Sequence, residues 1–196
     1  MQIFLYVFII GFTLLFVVVF FMKAFGLAYI GSKSKVISAV TTSKYKKYLV
    51  TDIIDGDTIV VKVGKYEMPV RLIGVNSPES VHPNKPEECY AEEARNIMLQ
   101  KLFNNYVKLI SDRSQDDIDK YDRLLRYIVL EDGTNFNKWL IQNGYAVEYT
   151  YKVPYKYQKE FIKAETYARN HKKGLWGDKA FASYLADLIL KRIEES

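Results

Sequence analysis

The chain has 196 residues, and its Lys and Arg exceed its Asp and Glu by 28 to 23. Lys23, Lys33 and Lys35 are the only charges in the first 40 residues, which leaves 25 positive against 23 negative side chains beyond them, so bulk charge makes no case for nucleic-acid binding. One cysteine, Cys89, excludes an intramolecular disulfide, and with only His82 and His171 beside it a Cys/His zinc site is excluded as well.

Ile3 to Met22 (IFLYVFIIGFTLLFVVVFFM) carries no charge. Such a run, at a helical rise of about 1.5 Å per residue, spans the roughly 30 Å hydrocarbon layer of a bilayer. No basic segment precedes it and no small-x-small cleavage pattern comes after it, so it reads as a single-pass anchor and not as a cleaved leader. The flanking lysines, Lys23, Lys33, Lys35, Lys44, Lys46 and Lys47, all lie C-terminal to the run, and the positive-inside tendency places the globular part of the chain on the cytoplasmic side. The expected organisation is an anchor over 1–30, a polar tether over 31–43, a globular domain over 44–178 and an amphipathic helix over 179–196. Phe181, Tyr184, Leu185, Leu188, Ile189 and Ile193 form the apolar face of that last helix, which is expected to pack against the domain, with a partner or the membrane surface as the alternative.

Within the domain, Lys44 to Ile54 reads as a strand leading into Asp55-Gly56-Asp57-Thr58, where Gly56 permits a tight turn. Two apolar, β-branched strands come next, IVVKV and MPVRLIGV, joined at Gly64-Lys65 as a hairpin. Asn76 to Cys89 is a loop broken by Pro78, Pro83 and Pro86. Ala91, Ala94, Ile97, Met98 and Leu102 then have helical spacing, and Tyr106 to Ile110 and Leu124 to Leu130 are two further strands. A short helix around Phe136 to Ile141 stops at Gly144, and a longer one runs from Tyr155 to Lys173. Five strands with a helix after the third predict an α+β, mainly β fold: a five-stranded Greek-key barrel of the OB type with three helices.

The hairpin is where chemistry collects. It folds Asp57, just before its first strand, back toward Asn76, Ser77 and Glu79, just after its second, so these residues share one rim. Oxygen donors without Cys or His suit Ca²⁺ or Mg²⁺ and not zinc. Arg71, interrupting an apolar strand, points to an anionic substrate beside the cation. Taken singly, Asp55 and Asp57 also read as turn formers, Arg123 beside Asp122 as a solvated ion pair, and Tyr149 and Tyr151 as strand or core residues.

DGDT at Asp55, VRLIGVNSPE at Val70, HPNK-x-x-E-x-Y at His82, DKYDR at Asp119 and GLWGD at Gly174 occur in the order and spacing of one family. Residues 44–178 resemble the staphylococcal nuclease (thermonuclease) domain. The resemblance implies a Ca²⁺-dependent phosphodiesterase that cuts DNA and RNA, single-stranded or frayed, on the 5′ side of the phosphodiester, with one calcium ion in preference to Mg²⁺ or Mn²⁺. It implies that Asp57, the Asn76 side chain and the Ser77 carbonyl hold the metal, that Glu79 handles the attacking water, and that Arg71 and Arg123 grip the phosphate. Lys120, Tyr121, Tyr149 and Tyr151 fall at nucleotide contacts. Two departures stand out: the family has Asp where this chain has Asn76, and often glycine where it has Asp122 and Leu124. The expectation is a membrane-anchored, calcium-dependent nuclease. The alternatives are a non-catalytic nucleic-acid-binding OB module tethered to a membrane, or a membrane-displayed protein-interaction module.

Overall fold

A computed structural model describes residues 46–79 and 88–177, with residues 182, 183, 185, 186 and 189 beyond them. Alternation of apolar residues builds the first strands. In β1 (Lys47–Ile53), Tyr48, Val50 and Ile53 are buried, and in β2 (Thr58–Val63), Ile59, Val61 and Val63 are. Between Val50 and Asp52 the β1–β2 register slips by one residue, a bulge at Thr51. Such a bulge bends a strand and increases its twist. This allows β1 to pair with β2 through its second half and with β5 (Tyr106–Ile110) through Lys47–Leu49.

The Gly64-Lys65 turn returns the chain as β3 (Tyr66–Leu72), in register with β2 from Val63↔Tyr66 to Thr58↔Arg71. β6 (Leu124–Val129) runs parallel to β3 and antiparallel to β5, closing the barrel in the order β1-β2-β3-β6-β5. These are the five strands expected from the sequence, in the OB-type layout. A further two-residue pair joins β4 (Val75–Asn76) to β7 (Val147–Glu148). Two residues carry no periodicity, and this pairing is not legible in the sequence.

Helix α1 (Ala91–Leu102) buries Ala91, Ala94, Met98 and Leu102 along one stripe. Helix α2 (Phe136–Gln142) starts at Asn135, whose side-chain oxygen accepts the Lys138 N–H at 3.3 Å, an N-cap. Helix α3 (Gln158–Asn170) packs Phe161, Ala164 and Ala168 inward. It begins three residues later than the apolar spacing suggests, because the Lys156 N–H is drawn to Asp112 Oδ2 at 2.7 Å. It also ends earlier, with Lys172 in the left-handed region at φ 50°.

The expected membrane span over Ile3 to Met22 and the tether over 31–43 lie outside the described residues. Among those described, no helix is long and apolar enough to cross a membrane. The expected last helix also falls largely outside them. Of its apolar face, Leu185 and Ile189 are described, helical and exposed.

Candidate active site

Asp57 is delivered by the β2–β3 ladder: its carbonyl accepts the Leu72 N–H at 2.9 Å, and its own N–H donates to Asp55 Oδ1 at 2.9 Å. The side chain is buried. Oδ1 accepts the Thr58 hydroxyl at 3.0 Å, while Oδ2 accepts the Ser77 N–H at 3.1 Å and faces Arg71 Nη2 at 2.9 Å. Gly56 serves this packing more than the turn. A Cβ there would lie 2.7 Å from Ser77 Cβ and 2.8 Å from Ala94 Cβ, so only glycine allows the Ser77 loop and α1 to close on the corner. Burial pushes the Asp55 carboxyl up to about 7, with the negative charge of Asp57 adding to the effect and Arg71 opposing it.

The two arginines approach the same dipeptide from different segments, Arg71 from β3 and Arg123 from the loop residue just before β6. Arg71 spends Nη1 on the Leu72 and Val75 carbonyls at 3.1 and 2.8 Å and turns Nη2 to Asp57. Arg123 is held along one edge by Asp119, whose Oδ2 lies 2.7 Å from both Nε and Nη2, and its Nη1 is 3.5 Å from Thr58 Oγ1. That hydroxyl in turn donates to Asp57. A guanidinium gripped on one edge keeps its other donors for a second planar anion. Arg123 is therefore not a solvated pair with Asp122, because its partner is Asp119.

Asn76 lies on β4, opposite Val147, and Ser77 comes directly after it against the Asp57 carboxylate. Among the described residues neither the Asn76 side chain nor the Ser77 carbonyl has a hydrogen-bond donor. Their oxygens and the second lone pair of Asp57 Oδ1 are the hard donors on offer, which fits Ca²⁺ or Mg²⁺ in kind. The set is poor in charge, since among the described residues no three His, Cys, Asp or Glu are grouped to hold a metal. Glu79 stands two residues beyond Ser77, and its main chain is fixed from both sides. Its N–H donates to Glu88 Oε2 at 2.9 Å and its carbonyl accepts the Glu88 N–H at 3.0 Å.

Lys120, Tyr121, Tyr149 and Tyr151 gather on the outer side. The Arg123 guanidinium lies 5.2 Å over the Tyr121 ring and the Lys120 ammonium 4.9 Å over it. Tyr121 is the first cause, and Tyr151 a further one, that raises the Lys120 ammonium above its usual range, so both phenols sit near one cation. Tyr149 and Tyr151 stand 6.4 Å apart, and with Tyr121 they are exposed, so neither is a core residue. The Tyr149 N–H is anchored to the Gly74 carbonyl at 3.2 Å.

Sequence reasoning misses Asp119, Thr58 and Glu88 as supports. The signal for Asp119 is its i,i+4 relation to Arg123. A cavity of about 380 Å³ lined by Ile110, Tyr127, Trp139 and Tyr157 among others contains none of the candidate residues.

A family model described as staphylococcal nuclease homologue matches residues 69–178. A thermonuclease of Staphylococcus hyicus is 34% identical over 141 residues, covering 72% of this chain and 82% of that protein. Another, of Staphylococcus intermedius, is 35% identical over 148 residues, covering 76% and 86%. The SPbeta prophage-derived endonuclease YokF of Bacillus subtilis (strain 168) is 31% identical over 131 residues, 66% of this chain and 44% of the relative.

Proposed function

The chain belongs to the staphylococcal nuclease homologue family, and from that premise we propose that it is a nuclease hydrolysing phosphodiester bonds of DNA and RNA with the aid of one bound calcium ion. The observation that carries the reading is the meeting of Arg71 and Arg123 at the adjacent residues Asp57 and Thr58. One phosphate, with several oxygens to neutralise, suits two guanidinium groups at one dipeptide.

Asp57, the Asn76 amide oxygen and the Ser77 carbonyl would hold the ion, which supplies charge neutralisation at a non-bridging phosphate oxygen when bound. The chain's own groups do the rest. Arg71 and Arg123 balance the charge that accumulates as the fifth oxygen bonds to phosphorus. Glu79 accepts the proton of the attacking water as the new P–O bond forms and the bond to the 5′ oxygen breaks, the leaving oxygen taking a proton from solvent to become a hydroxyl. Asp119 keeps Arg123 facing the site. Tyr121, Tyr149 and Tyr151 offer exposed rings for unstacked bases, with Lys120 beside them for the backbone, which favours single-stranded or frayed substrates. The uncharged run from Ile3 to Met22 would tether this domain to a bilayer, with the lysines after it favouring the cytoplasmic side.

The test incubates the full-length chain with single-stranded DNA, in Ca²⁺ or in chelator. Cutting in calcium that stops in chelator and in Glu79→Gln is expected. Retarded DNA that is never cut would instead indicate a binding module. Protease accessibility of the domain in intact cells checks the membrane side.

A further inference from the structure

β6 reads LLRYIV, and its inward positions are Leu124, Arg126 and Ile128, so an arginine occupies a barrel-interior place between two aliphatic residues. Arg126 is fully buried. Its Nη2 meets Asp117 Oδ1 at 2.8 Å, and its Nη1 donates to the Asp117 carbonyl at 3.1 Å and to the Leu125 carbonyl at 2.7 Å. The Asp117 carbonyl also accepts the Leu125 N–H at 3.1 Å. Both the side chain and the main chain of Asp117 are thus fixed to β6.

Asp117 is the root of the loop that carries Arg123. Directly above it Ile118 bridges Leu124, and the Asp119 N–H donates to the Arg123 carbonyl at 3.0 Å. Asp119 Oδ1 then gathers the Tyr121 and Arg123 N–H groups at 2.9 and 3.0 Å, while Oδ2 takes the Arg123 guanidinium. The order from barrel to tip is Arg126, Asp117, Asp119, Arg123. At its base, Arg126 lies in register with Leu72, next to Arg71, so one pair of strands sets the placement of both guanidinium groups.

We propose that Arg126 and Asp117 are positioning residues that clamp the root of the 117–124 loop and so hold Arg123 at the Asp57–Thr58 corner. What Arg123 does there rests on the nuclease reading; the clamp itself does not. A buried arginine is a poor source of stability, because an aliphatic side chain of the same volume avoids the desolvation of the charge. Its contribution is geometric, since a fork of donors fixes an oxygen acceptor and its main chain at once. The pair is also asymmetric. The Asp117 side chain is 35% exposed against 1% for Arg126, so removing the arginine leaves a carboxylate that water can solvate.

That asymmetry makes Arg126→Met the informative variant. The full-length protein carrying it is expected to keep its melting temperature while turnover on single-stranded DNA falls about tenfold at nearly constant KM, the scale of a small misplacement of a reacting group. In an Arg123→Ala background the same change is expected to cost nothing further. Unchanged turnover, or losses that multiply in the double variant, would overturn the clamp. Amide hydrogen exchange supplies a readout that needs no activity. Leu125, Tyr121 and Arg123 are expected to lose protection in Arg126→Met while the β2–β3 hairpin keeps its own, and unchanged exchange at those three overturns the proposal. If the parent cuts no nucleic acid, the nuclease reading fails and this exchange pattern still decides the clamp. Should Arg126→Met not fold, Asp117→Asn is read by the same exchange criterion.

Discussion

Arg71 Nη2 lies 2.9 Å from Asp57 Oδ2 with both side chains largely buried, so the guanidinium already neutralises the carboxylate that a bound cation would use. Breaking such a pair from one side leaves an uncompensated buried charge and costs about 3 kcal/mol. Arg71→Gln is therefore expected to melt lower in chelator, and Ca²⁺ is expected to restore more of its melting temperature than it adds to the parent. Cleavage should fall about a thousandfold, the scale of a lost phosphate-binding arginine. Thermal melts with and without calcium check the first point; an equal calcium shift in both proteins would remove Asp57 from the metal site.

As a proposed ligand, Asn76 would bring a neutral oxygen to a site where charge governs affinity. Ligand charge count tunes calcium binding over orders of magnitude, and in the proposed ligand set one carboxylate, already paired with Arg71, would be the whole charge. Asn76→Asp is expected to tighten Ca²⁺ binding about tenfold or more with the β4–β7 pairing intact. Calorimetry on parent and variant measures it, and equal or weaker binding would count against the assignment of Asn76 as a ligand.

Asp55 is expected to make the fold sensitive to pH. Burial, and then Asp57, raise its folded-state value to about 7, above the value of about 4 in an unfolded chain. Between those two values the folded protein binds a proton that the unfolded chain has released, so stability declines as pH rises from about 4 to about 7, by up to a few kcal/mol. Asp112 acts oppositely: burial would raise it, but hydrogen bonds from Tyr127, the Lys156 N–H and Ser114 prevail and lower it. Its contribution is present above about pH 4 and is lost as pH falls through its folded-state value. Denaturant melts across pH are expected to show Asp55→Asn flattening the slope between about 4 and about 7, and Asp112→Asn flattening it on the acid side. The same slope in Asp55→Asn as in the parent would refute the first.

The barrel is legible because its strands alternate visibly, as at Ile59, Val61 and Val63, and because Gly64-Lys65 marks the hairpin. Asp57, Arg71 and Ser77 are legible as a group because a hairpin must bring its two ends together. Contact between distant segments is what escapes the sequence. Arg126 has the place of a charge on an apolar strand until that strand is set in the barrel against Asp117. Gly56 carries a turn signature, yet its reason is the approach of Ser77 and Ala94. The late start of α3 reflects a distant partner too, since Asp112 holds the Lys156 N–H.

Gly74 and Tyr155 supply the last prediction. Gly74 has φ +73°, and a Cβ on it would come within 2.5 Å of the Tyr155 ring. Tyr155 is buried, and its hydroxyl donates to Glu148 Oε1 at 2.9 Å, the oxygen that also accepts the Thr150 hydroxyl at 2.6 Å. The ring thus seats the segment bearing Tyr149 and Tyr151 against the start of β4, where the carbonyl of Gly74, the residue before that strand, receives the Tyr149 N–H. Gly74→Ala imposes a left-handed backbone on an L residue and drives a methyl into that ring, at a combined cost of about 2–4 kcal/mol. The displaced segment carries the exposed tyrosines, while Gly74 itself lies between the Leu72 and Val75 carbonyls that hold Arg71, so KM for single-stranded DNA is expected to rise severalfold and kcat to fall with it. Tyr155→Ala opens space beside Gly74 and should make Gly74→Ala less costly in the double variant, since the clash is with that one ring. Additive melting losses in the pair, or an unchanged KM, would show that the ring does not seat this segment.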